Sequence, residues 1–80
     1  MHELGILRRI VKIVEQNAVK NGIEQVKNIT LEVGRDSGIV PRYMMKLFPV
    51  AVDALPLLKD AKLRIRMVRG CGLVIKDIRY

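Results

Sequence analysis

Residues 27–33 read Lys-Asn-Ile-Thr-Leu-Glu-Val, a strict alternation of polar and hydrophobic side chains. Ile29, Leu31 and Val33 occupy every second position, with polar residues between them. Successive side chains of a strand point to opposite faces, so this pattern is typical of a half-buried strand. The stretch therefore predicts a sheet with one face toward a hydrophobic core and the other toward water.

A helical pattern comes before this strand. Its apolar residues recur three and four positions apart, the spacing of one helix face. They are Leu4, Leu7, Ile10, Val11, Val14 and Ala18. The pair Asn21-Gly22 predicts the end of the helix, since glycine readily adopts the left-handed conformation found just past a helix. The first helix is thus expected to begin almost at residue 3.

A second helical pattern follows the strand. Pro41 is suited to the first position of a helix, and hydrophobic residues continue at helical spacing as far as Leu55. Pro49 lies inside this pattern, where its ring clashes with the carbonyl group of Met45. We expect a kink or two short helices there, and Pro56 is expected to end the segment.

Two further strands are predicted at residues 61–68 and 73–80, with a turn at 69–72. In the last strand the hydrophobic phase slips by one position after Ile75, which predicts a bulge around Lys76-Asp77. The strand–helix–strand connection predicts a parallel pair, and the short turn predicts that the last two strands are antiparallel.

The element order is therefore α-β-α-β-β within a single domain, residues 1–80. We expect a two-layer α/β (α+β) fold in which two helices cover one face of a three-stranded mixed sheet. The chain has 80 residues, of which 50% are hydrophobic, and this is compatible with one modest core. No secretory signal and no membrane span is visible in the sequence.

The formal net charge is +7, and it attracts polyanions. Lys62, Arg64 and Arg66 fall on the outward face of the predicted sheet, so much of this charge is explained as its solvated side. A basic nucleic-acid-binding domain is one alternative. Sheet-based RNA binders stack bases on exposed aromatic side chains, and the outward positions provide none, which argues against that alternative.

The motif Met1-His2-Glu3 carries the clearest chemistry. The amine of Met1, the amide of His2 and the imidazole Nδ1 of His2 can form fused five- and six-membered chelate rings. Flat nitrogen sites favour Ni(II) or Cu(II) over Zn(II). The amide of Glu3, its carboxylate or a water can supply the fourth corner. A residue 2 histidine is also typical of a solvated terminus without any metal.

Met-His-Glu-Leu opens the first helix, Leu-Glu-Val-Gly ends the first strand, and Ser-Gly-Ile-Val-Pro opens the second helix. This order of motifs resembles the HypA-type nickel-insertion chaperones of [NiFe]-hydrogenase maturation. The closing Leu-Val-Ile-Lys-Asp-Ile is similar to that family's last strand. The resemblance implies a cytoplasmic, non-enzymatic metallochaperone that binds Ni(II) through Met1, His2 and Glu3. It also implies two partners, the hydrogenase large subunit and a maturation GTPase, and some family members serve urease.

The sequence departs from the family at a zinc module. Family members insert four cysteines between the last two strands, whereas this chain has only Cys71, in a short turn. We therefore expect no zinc, since one cysteine makes neither an internal disulfide nor a multi-cysteine site. A relative that retains the fold only as a protein-interaction module is the other alternative. The sequence also leaves open whether the chain forms a homodimer.

Overall fold

The computed structural model describes residues 2–80 and has the predicted element order. Its elements are α1 (Glu3–Lys20), β1 (Asn28–Gly34), α2 (Pro41–Val52), β2 (Lys62–Val68) and β3 (Leu73–Arg79), with a single 3₁₀ turn at Pro56–Leu58. One hydrophobic core joins the inner sides of both helices to one sheet face. No helix in this part of the chain is long and apolar enough to cross a bilayer. The expected α+β fold is confirmed.

Helix α1 ends as the Asn21-Gly22 pair predicts. Gly22 has φ +69°, and its amide donates to the carbonyl of Val19 over 3.1 Å. The amide of Ile23 donates to the carbonyl of Ala18 over 2.8 Å. These two bonds form the Schellman motif, which satisfies the last free carbonyl groups of a helix and requires a left-handed residue.

Helix α2 differs from the expectation at its C-terminal half. It runs as one helix from Pro41 to Val52, so the alternative of two short helices is wrong. Pro49 is on the exposed side, where the helical hydrogen bond that proline cannot donate is lost at the surface and not in the core. The helix also ends before Pro56, which instead opens the 3₁₀ turn. Beyond Val52, Leu58 reaches the core from this 3₁₀ turn and not from α2.

Strand β1 lies in the middle of the sheet, in the order β2-β1-β3. It pairs parallel with β2 and antiparallel with β3. The last two strands run antiparallel to each other as predicted, but they are not hydrogen-bonded neighbours. This arrangement places the alternating strand, whose Ile29, Leu31 and Val33 are all fully buried, at the centre of the core.

The connection between β2 and β3 crosses over the end of β1 at Gly34. The amide of Gly34 donates to the carbonyl of Gly72 over 2.7 Å. A Cβ atom at Gly34 would overlap the carbonyl oxygen of Gly70 and would lie 2.7 Å from its carbon and 2.8 Å from the nitrogen of Gly72. Gly34 thus provides the space through which the crossing chain passes.

The predicted bulge in β3 is confirmed. Thr30 lies opposite Asp77, while its neighbour Leu31 lies opposite Ile75. Lys76 is the additional residue between these two partners. The bulge restores the alternation, so Ile75 and Ile78 both turn toward the core.

Candidate metal site at the amino terminus

His2 is the N-cap residue of α1, and Glu3 is the first residue of that helix. The carbonyl of His2 accepts the amide hydrogen of Ile6 over 3.1 Å, the first bond of the helix. The side chain of His2 makes no capping hydrogen bond and is exposed to solvent, close to Gly5, Ile6 and Arg9. The imidazole therefore makes no hydrogen bond that supports the fold within the described residues 2–80.

Glu3 has the opposite environment, because it is the one buried charged residue among those described. It is 6% exposed, and its Oε2 accepts the amide hydrogen of Val40 over 3.0 Å. Val40 is the N-cap residue of α2, and no side chain of the α2 segment itself caps that helix. The carboxylate thus lies at the positive ends of two helix dipoles and ties their starts together.

The hydrogen bond from Val40 is the main cause of a lowered pKa at Glu3. Burial acts against it, and the amide of Glu3 itself and the nearby imidazole of His2 lower the pKa further. A carboxylate with a lowered pKa stabilises the fold most above the pKa of an unfolded glutamate, about 4.3. That contribution is lost as the pH falls through the lower pKa of the folded state.

Replacing Glu3 by glutamine is therefore expected to lower Tm at pH 7 by roughly 4–8 °C, because glutamine has no charge to place at the helix ends. The deficit should shrink as the pH falls through the lowered pKa of the folded state, since the native carboxylate then becomes neutral as well. Thermal unfolding followed by circular dichroism at pH 7, 5 and 3 measures this. Glu24→Gln is the matched control, because Glu24 is exposed. An equal Tm deficit of Glu3→Gln at every pH would contradict the assignment.

The backbone nitrogens at the start of α1 have no partner inside the helix. The first four N–H groups of an α-helix lack an intrahelical acceptor, and the amides of His2 and Glu3 are among them. The structure thus brings together an exposed imidazole and two amide nitrogens that no helical bond engages. The remaining predicted donor, the amine of Met1, lies outside the described residues.

Other candidate ligands are scattered over the fold. Met44 is buried and Met67 is half-buried, whereas Met45 is 48% exposed. Cys71 is an exposed free thiol in the connection that crosses Gly34. Among residues 2–80, no three His, Cys, Asp or Glu side chains lie close enough together to hold one ion.

A family model described as "HypA: Hydrogenase/urease nickel incorporation, metallochaperone, hypA" matches residues 1–73. The chain belongs to the HypA family. The hydrogenase maturation factor HypA of Trichodesmium erythraeum is 40% identical over 72 residues, covering 90% of this chain and 60% of that protein. The HypA of Moorella thermoacetica is 34% identical over 65 residues, covering 81% of this chain and 57% of that protein. The family description is that of a metal carrier, not of a catalyst, in agreement with the expectation.

A solved HypA structure has the same fold. It is the solution structure of the Ni metallochaperone HypA from Helicobacter pylori, which superposes with a TM-score of 0.79 at 18% identity. The superposition covers 96% of this chain and 72% of the Helicobacter pylori chain. The chain spans about 60% of the length of the Trichodesmium erythraeum HypA. The four-residue link Arg69–Gly72 stands where the resemblance places the zinc module.

Sequence reasoning proposed Met1, His2 and Glu3 but missed Val40. The backbone amide of Val40, 37 residues from Glu3, fixes the direction of the Glu3 carboxylate. The available signals were a glutamate in the first helical turn and a proline opening the second helix. Neither signal says that the two helix starts meet.

Proposed function

We propose that this chain captures Ni(II) at its amino terminus and passes it on during the maturation of a nickel enzyme. The observation that carries the proposal is the exposed His2 imidazole at the start of α1, beside backbone nitrogens that are not engaged in the helix. With the amine of Met1, these atoms form the fused chelate rings that suit a planar nickel ion. Nickel is the cargo of this reaction.

The position of Glu3 suggests which atom fills the fourth corner of the planar nickel site. Its carboxylate is occupied by the amide of Val40 at 3.0 Å, whereas its amide nitrogen has no helical acceptor. We therefore assign the amide of Glu3, and not its carboxylate, to the nickel ion. The carboxylate has a positioning role, since it holds the start of α1 against the rest of the fold while His2 projects into solvent.

This assignment predicts that Glu3→Gln still binds nickel, with an affinity within about threefold of the parent, because glutamine has the same backbone amide. Isothermal titration of the untagged protein with NiCl₂ at pH 7.5 measures the affinity. Loss of binding in a Glu3→Gln variant that remains folded would show instead that the carboxylate is a ligand.

Nickel binding is expected to depend steeply on pH. An imidazole binds a metal only when it is neutral, and binding also releases protons from the amine and the amides. Affinity should thus fall by at least about tenfold for each unit by which the pH is lowered from 7.5. Nickel titrations at pH 5.5, 6.5 and 7.5 test this, and a flat profile would exclude a site built on nitrogen donors that lose protons.

Release is favoured by the small number of side chains in the site. Only one side chain and the adjoining backbone hold the ion, so a recipient that presents additional donors can remove it stepwise. By family membership we propose the large subunit of a hydrogenase as the recipient, a maturation GTPase as a partner and the cytoplasm as the compartment. We expect one chain to bind no zinc, because its single cysteine cannot form a tetrahedral thiolate site.

A further inference from the structure

The solvent-facing side of the sheet carries an ordered set of cations. Lys62, Arg64 and Arg66 are exposed at alternate positions of β2, and Arg79 is exposed at the end of β3. These four residues are called the basic sheet face. Strand pairing places Lys62 in one row with Asn28 and Arg79, and Arg64 in the next row with Thr30 and Asp77. Arg66 shares the third row with Glu32 and Val74.

Most of these cations have no ionic partner among the residues that the structure describes. Within residues 2–80, the only ion pair joins Arg79 Nε to Asp77 Oδ2 at 3.5 Å, and both side chains are largely exposed. Glu32 lies opposite Arg66 in the register but forms no ion pair with it. Lys62, Arg64 and Arg66 therefore present three uncompensated positive charges along one strand.

We propose that the three cations of the basic sheet face on β2, Lys62, Arg64 and Arg66, bind an acidic protein segment in extended conformation that lies alongside β2. Side chains two positions apart in any strand are separated by about 6.7 Å, so acidic residues at every second position would match the repeat of Lys62, Arg64 and Arg66. A neighbouring strand lies about 4.8 Å away, within reach of these long side chains.

The backbone of β2 is also suited to this partner. Strand β2 is an outer strand, and its inner edge is occupied by β1. The amide of Lys62 donates to the carbonyl of Lys27 over 2.9 Å, so its backbone points inward. By alternation, the backbone groups of Leu63, Ile65 and Met67 point to the outer edge, where an added strand can bind them.

The distribution of charge selects this partner over two others. A second copy of the chain paired along β2 would bring the same three cations against each other. Charged edge strands oppose self-pairing for this reason. A nucleic acid lying across the face would encounter the carboxylates of Glu32 and Asp77, and it would find Val74 at the outward position in place of an aromatic side chain for base stacking. An acidic segment confined to the β2 edge avoids both carboxylates.

Fluorescence anisotropy with two labelled peptides tests the proposal. One peptide alternates glutamate with threonine and valine, and the other has the same composition with its glutamates in one block. We expect the alternating peptide to bind at least fivefold more tightly, with an affinity that falls as salt rises. Arg64→Glu should weaken its binding roughly tenfold, because a repulsive charge replaces the central cation.

Lys46→Glu is the matched control, since Lys46 is an exposed residue of α2 and the reversal gives the same net charge. It should change peptide affinity by less than about twofold. Both variants should bind Ni(II) as the parent does, which separates this surface from the amino-terminal site. Equal binding of the two peptides, or equal effects of the two reversals, would overturn the proposal. Tighter binding of a single-stranded oligonucleotide that depends on Arg64 would overturn it in favour of nucleic acid.

Discussion

Gly34→Ala should lower the free energy of unfolding by at least about 3 kcal/mol. A Cβ atom at this position overlaps the carbonyl of Gly70 and lies 2.8 Å from the nitrogen of Gly72. The atoms of Gly70 and Gly72 that it meets belong to the backbone, so the overlap cannot be relieved by moving a flexible side chain. A domain of this size has a total stability of roughly 4–12 kcal/mol, so the variant would lose much of its folded population. Urea unfolding followed by circular dichroism measures the change.

Gly5→Ala is the matched control for this experiment. Gly5 lies in the first turns of α1, and a Cβ atom there has no neighbour within 4 Å. Alanine in a helix is favoured over glycine by about 0.5–1 kcal/mol, so this variant should be slightly more stable than the parent. Equal stabilities of Gly34→Ala and the parent would contradict the crossing of the β2–β3 connection over Gly34.

His2→Ala should weaken Ni(II) binding by at least about 100-fold, because it removes the only imidazole of the proposed ligand set and opens one chelate ring. The remaining amine and amides would be a much poorer site near neutral pH. Titration calorimetry of the untagged variant at pH 7.5 measures the loss.

The fold itself should tolerate His2→Ala. The side chain is exposed and makes no capping bond, so the free energy of unfolding should change by no more than about 0.5 kcal/mol. Loss of nickel with unchanged stability would separate a metal ligand from a structural residue. Full nickel affinity in this variant would contradict the capture of nickel through His2.

The inner face of the sheet could be predicted from the sequence because strand alternation is a local property. Ile29, Leu31 and Val33 alternate with polar residues, and each is fully buried in the structure. The bulge at Lys76 could also be predicted from the sequence, since a slip in hydrophobic phase has only a few structural causes. The Asn21-Gly22 stop followed from the conformational freedom of glycine.

The order of the strands could not be predicted in the same way. A short link between two strands normally indicates a hairpin, but here Arg69–Gly72 passes over the end of β1 and places its strands on opposite sides of it. This route depends on the space at Gly34, and a single glycine in a sequence does not reveal what crosses it. The end of α2 at Val52 also differs from the pattern, because the helical spacing of hydrophobic residues continues to Leu55 while Leu55 itself is extended ahead of Pro56.

The amino-terminal site was predicted in part. The donor types and their chelate rings are fixed by the covalent structure of residues 1–3, so they were available from the sequence. The commitment of the Glu3 carboxylate to Val40 required the fold, since it joins two helix starts that are 37 residues apart. That contact commits the Glu3 carboxylate to the helix starts, so we propose only the backbone amide of Glu3 as a nickel donor.

The absorption spectrum of the nickel complex tests the amino-terminal site most directly. Protein with a free amine at Met1 should give the weak visible band of a planar, low-spin Ni(II) ion in nitrogen coordination, and its yellow colour, at pH 8. Chemical acetylation of that amine removes a donor of the first chelate ring while leaving His2 and the fold unchanged, so the band should disappear. An acetylated protein that forms the same yellow complex with the same affinity would contradict nickel capture by the amino-terminal nitrogens.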